Sequence, residues 1–127
     1  MRAVFALVFL CLAATALARD LGQWGNSDPE LSAWYAGLKQ PDNPAVSCCG
    51  ESDAYWADDV EVRGERVFAI ITDDRPDAPL RRPHVPIGTK IEVPPHKYVR
   101  QPNPTGHVVI FITRNLDVLC YVAGGGV

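Results

Sequence analysis

Three cysteines carry the most definite chemistry in this 127-residue chain: Cys48 and Cys49, adjacent in "PAVSCCGESDAYWADD", and Cys120 in "VLCYV" near the end. In an oxidising compartment such residues form structural disulfides, and an odd number leaves one thiol outside any intramolecular bridge. Two frameworks tie the pair to Cys120, one through Cys48 and one through Cys49. Either closes a loop of roughly 70 residues, which chain entropy values at about 4 kcal/mol. A vicinal Cys48–Cys49 bridge is strained, because consecutive Cα atoms stand about 3.8 Å apart and ordinary disulfides need roughly 4.4 Å or more. Successive side chains of an extended segment point opposite ways, so one cysteine of the pair faces Cys120 and the other faces away. Gly50 gives the backbone after Cys49 freedom to turn into the sheet. That favours Cys49–Cys120 and leaves Cys48 as the spare thiol.

Other residues are candidates for recognition. "DDRPDAPLRRPH" holds Arg75, Arg81, Arg82 and His84. Guanidinium forks suit carboxylate and phosphate, so these four are the candidate ligand or partner contacts. Asp73, Asp74 and Asp77 stand among them, and local self-neutralisation competes with that role. The acidic residues Glu51, Asp53, Asp58, Asp59 and Glu61 lack the spacing of a calcium-binding loop and read as a solvated face. His84, His96 and His107 lie too far apart for a zinc motif, and Met1 is the single methionine, which argues against a thioether copper site. No metal site and no cofactor are expected. No nucleophile elbow, zinc-protease helix or phosphate loop occurs, so no catalytic residue is assigned and an enzyme is not expected.

These groups must be positioned by a small exported domain. "MRAVFALVFLCLAATALARD" has a basic start, an apolar run and a small-x-small site at Ala16–Ala18. That is the pattern of a cleaved secretory signal peptide, residues 1–18, which takes Cys11 with it. Residues 19–127 then form one domain, with its location periplasmic or secreted and with no membrane span after cleavage. Loss of Arg2 moves the formal charge from −3 to −4. Mild acidity gives no reason to expect nucleic acid.

Periodicity supplies the elements. Leu31, Trp34, Tyr35 and Leu38 form a helical apolar stripe behind a Ser27/Glu30 capping box, with Pro29 in the first turn and Pro41 and Pro44 as stops. The pair Trp34-Tyr35 reads as core rather than a ligand platform. "VEVRGERVFAIIT" predicts a hairpin with Gly64-Glu65 in a type II′ turn. Arg75 to Pro104 holds eight of the eleven prolines, leaving room for one strand, Thr89–Val93. Asn103–Gly106 is a turn. "HVVIFIT" is apolar on both faces, as a central strand is, and "VLCYV" is its return partner. The fold class is α+β, mainly β: one N-terminal helix on a small antiparallel sheet or partly closed barrel of about five strands.

"SCCGESDAYWADD", "NPTGHVVIF" and "VLCYVAGGG" together resemble a group of uncharacterised small secreted proteins of Gram-negative bacteria, over most of the mature chain. In similar sequences an Asp-Cys follows the Cys-Cys pair, where this chain reads Asp53-Ala54. The resemblance implies a two-bridge pattern of which one bridge is kept here, and it implies no activity.

The expected function is a non-catalytic periplasmic binding or protein-interaction module for an envelope protein or small ligand. A specific version is an inhibitor of an envelope-directed hydrolase. The alternative is a periplasmic metal-handling protein that uses the spare cysteine with a histidine.

Overall fold

A computed structural model describes residues 28–124. Residues 1–27, which include the expected signal peptide, and residues 125–127 lie outside the described residues. The first described element is α1 (Pro29–Gly37), with Pro29 at its start and the Asp28 carboxylate accepting from the Glu30 amide at 2.9 Å. Asp28, not Ser27, is therefore the N-cap. A short hairpin of β1 (Lys39–Gln40) and β2 (Asn43–Ser47) follows at once. Pro44 is tolerated in β2 because this two-stranded sheet consists of edges only. After the cysteine pair come β3 (Ala54–Trp56), β4 (Asp59–Arg63) and β5 (Arg66–Ile70). The proline-rich middle yields α2 (Asp77–Leu80), β6 (Lys90–Glu92) and a single 3-10 turn (Pro95–Lys97), and β7 (Val109–Ile112) and β8 (Val118–Val122) close the described chain.

The described residues are mostly β, with eight strands in three small antiparallel sheets ordered β1-β2, β3-β7-β8 and β4-β5-β6. No ladder joins them into the partly closed barrel the sequence suggested. The single sheet of about five strands is also corrected. Pro94, Pro95, Pro102 and Pro104 keep the segment between β6 and β7 from carrying pairing from one sheet to the next, since a proline cannot donate to a ladder.

The sheets stack instead of closing. Tyr55, Ile110, Ile112, Val118 and Tyr121 on one face of β3-β7-β8 bury against Ala69, Ile71, Ile91, Val93 and Val85. Ala54, Val109, Phe111, Cys120 and Val122 on the other face bury against Tyr35 and Leu38 at the helix, Cys48 and Val99. All four residues of β7 are buried, which is why "VVIFI" has no polar alternation: both faces are core. The helix stripe is seated by Tyr35, edge-on to Phe111 with ring centroids 6.1 Å apart. Full burial of each such side chain is worth about 1.5–3 kcal/mol.

The disulfide is Cys48–Cys120, with Cα atoms 5.7 Å apart and a sequence separation of 72. The expectation of Cys49 as the partner of Cys120 is thus corrected: the bridged residue of the pair is Cys48. The Cys48 amide donates to the Leu38 carbonyl at 3.0 Å, extending the β1-β2 pairing one residue past β2 and turning its side chain into the core. Cys49, the next residue, points outward and is exposed. The chain does reverse at Gly50, with φ 83°, but the reversal starts at Cys49 itself, also at φ 83°. The turn follows the buried cysteine; it does not deliver the second one. A Ser47 hydroxyl holds the Cys49 amide at 3.0 Å.

The predicted hairpin forms with Arg63 opposite Arg66 and Gly64 at φ 62°. A Cβ at Gly64 would meet nothing within 4 Å, so substitution there carries a backbone cost alone. Gly64→Ala is expected to lose about 1–2 kcal/mol, read as a drop in the urea midpoint at unchanged slope.

Candidate functional site

The segment from Ile71 to Gly88 is irregular apart from α2, yet it is firmly held. Leu80 and Val85 are buried, and between them Arg82 runs beneath the loop with its side chain almost fully enclosed. Its guanidinium donates to the Asp73 carboxylate at 2.7 Å, the Asp77 carboxylate at 2.8 Å, the Ala54 carbonyl at 2.9 Å and the Arg75 carbonyl at 3.1 Å. It also lies over the Tyr55 ring, 4.5 Å from the centroid. Burial pushes the Tyr55 hydroxyl up to about 12, and that hydroxyl donates to the Pro83 carbonyl. Ala54 and Tyr55 therefore pin the loop to β3, while Asp73, Arg75 and Asp77 brace it from within.

Asp73 is the shared anion. It takes both Arg82 and a forked pair from Arg75 at 2.9 and 2.7 Å, and it caps the Trp56 amide at 3.1 Å. Burial by itself would raise its carboxyl, but the two arginines and the amide outweigh that and hold it well below the usual carboxylate range. Arg75 in turn lies over the Trp56 indole at 3.9 Å. His107 stacks on the same indole, with centroids 3.8 Å apart and planes within 8°. Two groups that close must occupy opposite faces of the ring. Asp58 fixes His107 through Nδ1 at 2.8 Å and accepts from the Val108 amide, also at 2.8 Å.

The four recognition candidates separate accordingly. Arg82 and Arg75 are both paired with Asp73. Asp73 and Asp77, which stand near these two arginines in sequence, neutralise them in space. Arg81 and His84 face outward. Arg81 is exposed at the left-handed end of α2, φ 48°, and makes no ion pair among the described residues. His84 bonds Asp77 through Nδ1 at 2.6 Å while its side chain is 73% exposed. Ile87, on the same loop, is 64% exposed. Ile87 was not singled out from sequence, because an isolated apolar residue among prolines carries no periodicity.

The acidic residues disperse. Glu51 lies 4.0 Å from Arg75, Asp58 serves His107, and Glu61 pairs with Arg63 and Lys90. His96 is 4.0 Å from Asp42 at another corner. Among the described residues no three His, Cys, Asp or Glu side chains gather as a metal-binding group. The Trp56–His107–Asp58 assembly was invisible in sequence, since 49 residues separate its histidine from its aspartate.

Comparison with known proteins returned no matching family model, no matching curated protein and no matching solved structure. No helix of the described residues is long and apolar enough to cross a membrane. That and the Cys48–Cys120 bridge are compatible with a secreted or periplasmic protein.

Proposed function

We propose that this chain is a non-catalytic binding module of the periplasm or extracellular space. The supporting observation is the braced 71–88 loop. Arg82, sealed beneath it, holds by four hydrogen bonds a surface from which Arg81, His84 and Ile87 project. A loop already rigid before contact loses little conformational entropy on docking, so more of its contact energy appears as affinity. Arg81 offers a guanidinium for a carboxylate, His84 an imidazole edge and Ile87 an apolar anchor. An acidic segment of an envelope protein suits that combination, and an envelope-directed hydrolase inhibited by loop insertion is the specific form of the reading.

A photo-crosslinking side chain at position 81 or 87 in exported protein tests it. Both positions should capture the same envelope protein, identified by mass spectrometry, while position 105 on the Asn103–Gly106 turn should not. Arg81→Glu should lower capture from position 87 at least tenfold, because it opposes an acidic partner. Equal capture from 81, 87 and 105, or capture indifferent to Arg81→Glu, would overturn the reading.

A further inference from the structure

β4 is an end strand of its sheet, paired to β5 on one side only among the described residues. Its two apolar residues are out of place for a protected edge: Val60 is 44% exposed and Val62 is 64% exposed. Val60 sits opposite buried Ala69, so both valines lie on the core-facing side of the sheet but overhang the core. Asp59, Glu61 and Arg63 lie on the opposite face.

The hydrogen-bonding phase of the edge follows from the turn. In a two-residue hairpin the flanking residues, Arg63 and Arg66, exchange hydrogen bonds, and bonding then alternates along the ladder. The Val93 amide donates to the Val67 carbonyl at 2.8 Å. Val67 therefore points away from β4, and Val62 opposite it points outward, as does Val60. The open edge of β4 presents the amides and carbonyls of Val60 and Val62.

We propose that β4 pairs antiparallel with β4 of a second copy of this chain, about a two-fold axis at Glu61. "DVEVR" fits itself in that register. Val60 lies opposite the second copy's Val62 as a hydrogen-bonded pair, and the symmetric pair repeats it, so every outward backbone group named above is satisfied. Asp59 lies opposite the second copy's Arg63, and Arg63 opposite its Asp59, which gives two unlike-charge pairs. Four valines then form one apolar stripe across the junction. The axis brings two Glu61 carboxylates together, a like-charge contact. Each is already held by Arg63 at 2.7 Å and Lys90 at 2.6 Å of its own subunit. An exposed apolar edge is a template for pairing, and an isologous pair closes it without open-ended growth. The product is a six-stranded antiparallel sheet across two subunits.

The test uses the full exported chain in a Cys49→Ser background. Antiparallel non-hydrogen-bonded pairs place Cα atoms about 4.5 Å apart, within disulfide range. Glu61→Cys should therefore form a covalent dimer under mild oxidation, and Glu92→Cys on the far edge should not. Sedimentation from 10 to 500 µM (concentrations on the order of those where small interfaces associate) should show a concentration-dependent dimer. Asp59→Arg should raise its dissociation constant about tenfold, since two repulsive pairs enter each dimer. The double change Asp59→Arg with Arg63→Asp should recover part of the loss, the remainder persisting because Arg63 also holds Glu61. A wild-type chain that stays monomeric throughout, cross-linking through position 92 but not 61, or a double change no better than Asp59→Arg would overturn the proposal.

Discussion

Replacing Cys48 or Cys120 by serine is expected to cost about 2–5 kcal/mol in each case, the usual loss for a native bridge in a small secreted domain. Cys49→Ser should change stability by about 0.5 kcal/mol or less, the range of an ordinary surface substitution. The asymmetry follows from position. Cys48 and Cys120 are fully buried on the helix-facing side of β3-β7-β8, packed with Tyr35, Leu38 and Phe111. Their bridge ties the end of the β1-β2 hairpin to β8. Removing it leaves the unfolded chain without a cross-link spanning 72 residues and puts a hydroxyl into an apolar layer. The Cys49 side chain faces outward, where its thiol bonds the Ser47 carbonyl at 3.6 Å, a bond a serine hydroxyl also makes. Denaturant titration of the three single variants reads the result directly. Equal losses at Cys48 and Cys49 would mean that both thiols share the structural role.

Arg82→Met should cost about 3–5 kcal/mol, because it strands the buried Asp73 carboxylate beside a single arginine. Arg82 satisfies two carboxylates and two carbonyls with one planar fork. Lysine has one ammonium and cannot reach all four, so Arg82→Lys should recover only part of the loss. Acid probes the same network. Asp73 is held below its unfolded value, so its contribution is fully present above about pH 4, the ordinary aspartate range. It is lost as pH falls below that range, when the native state must take up the proton it resists. Asp73→Asn should therefore be less stable than the parent at pH 7, and the gap should narrow toward pH 2. A gap of constant size would show that the charge on Asp73 does not hold the loop.

The Arg82 variants also separate structure from recognition. Arg82→Lys should loosen the loop and weaken partner capture through Ile87 even though Arg82 touches no solvent-facing ligand. Arg81→Glu should weaken capture with stability unchanged.

Local pattern determined several features of this protein without any tertiary information. Alternation through Val60–Val62 with Gly64 at the turn specifies the β4-β5 hairpin, because both signals are contained within a dozen residues. The unbroken apolar run at 108–112 marks a strand buried on both faces. The stripe Leu31, Trp34, Tyr35, Leu38 specifies the buried side of α1. The expectation of export, with Cys120 inside a strand, points to a bridge through that residue.

What the tertiary structure alone decided rests on non-local partners. β3 is a three-residue strand, too short for periodicity, and it exists because β7 offers it an edge. The choice of Cys48 over Cys49 is a matter of parity, set by the hydrogen bond from Cys48 to Leu38 across the β1-β2 hairpin. Arg75, Arg81, Arg82 and His84 look equivalent in sequence. Burial of Asp73 under the loop draws two of them inward and leaves two outside, since a buried carboxylate must be paired and an exposed guanidinium need not be. Which of the four side chains are buried and which are exposed depends on where one aspartate is enclosed, and nothing in the local sequence encodes that enclosure.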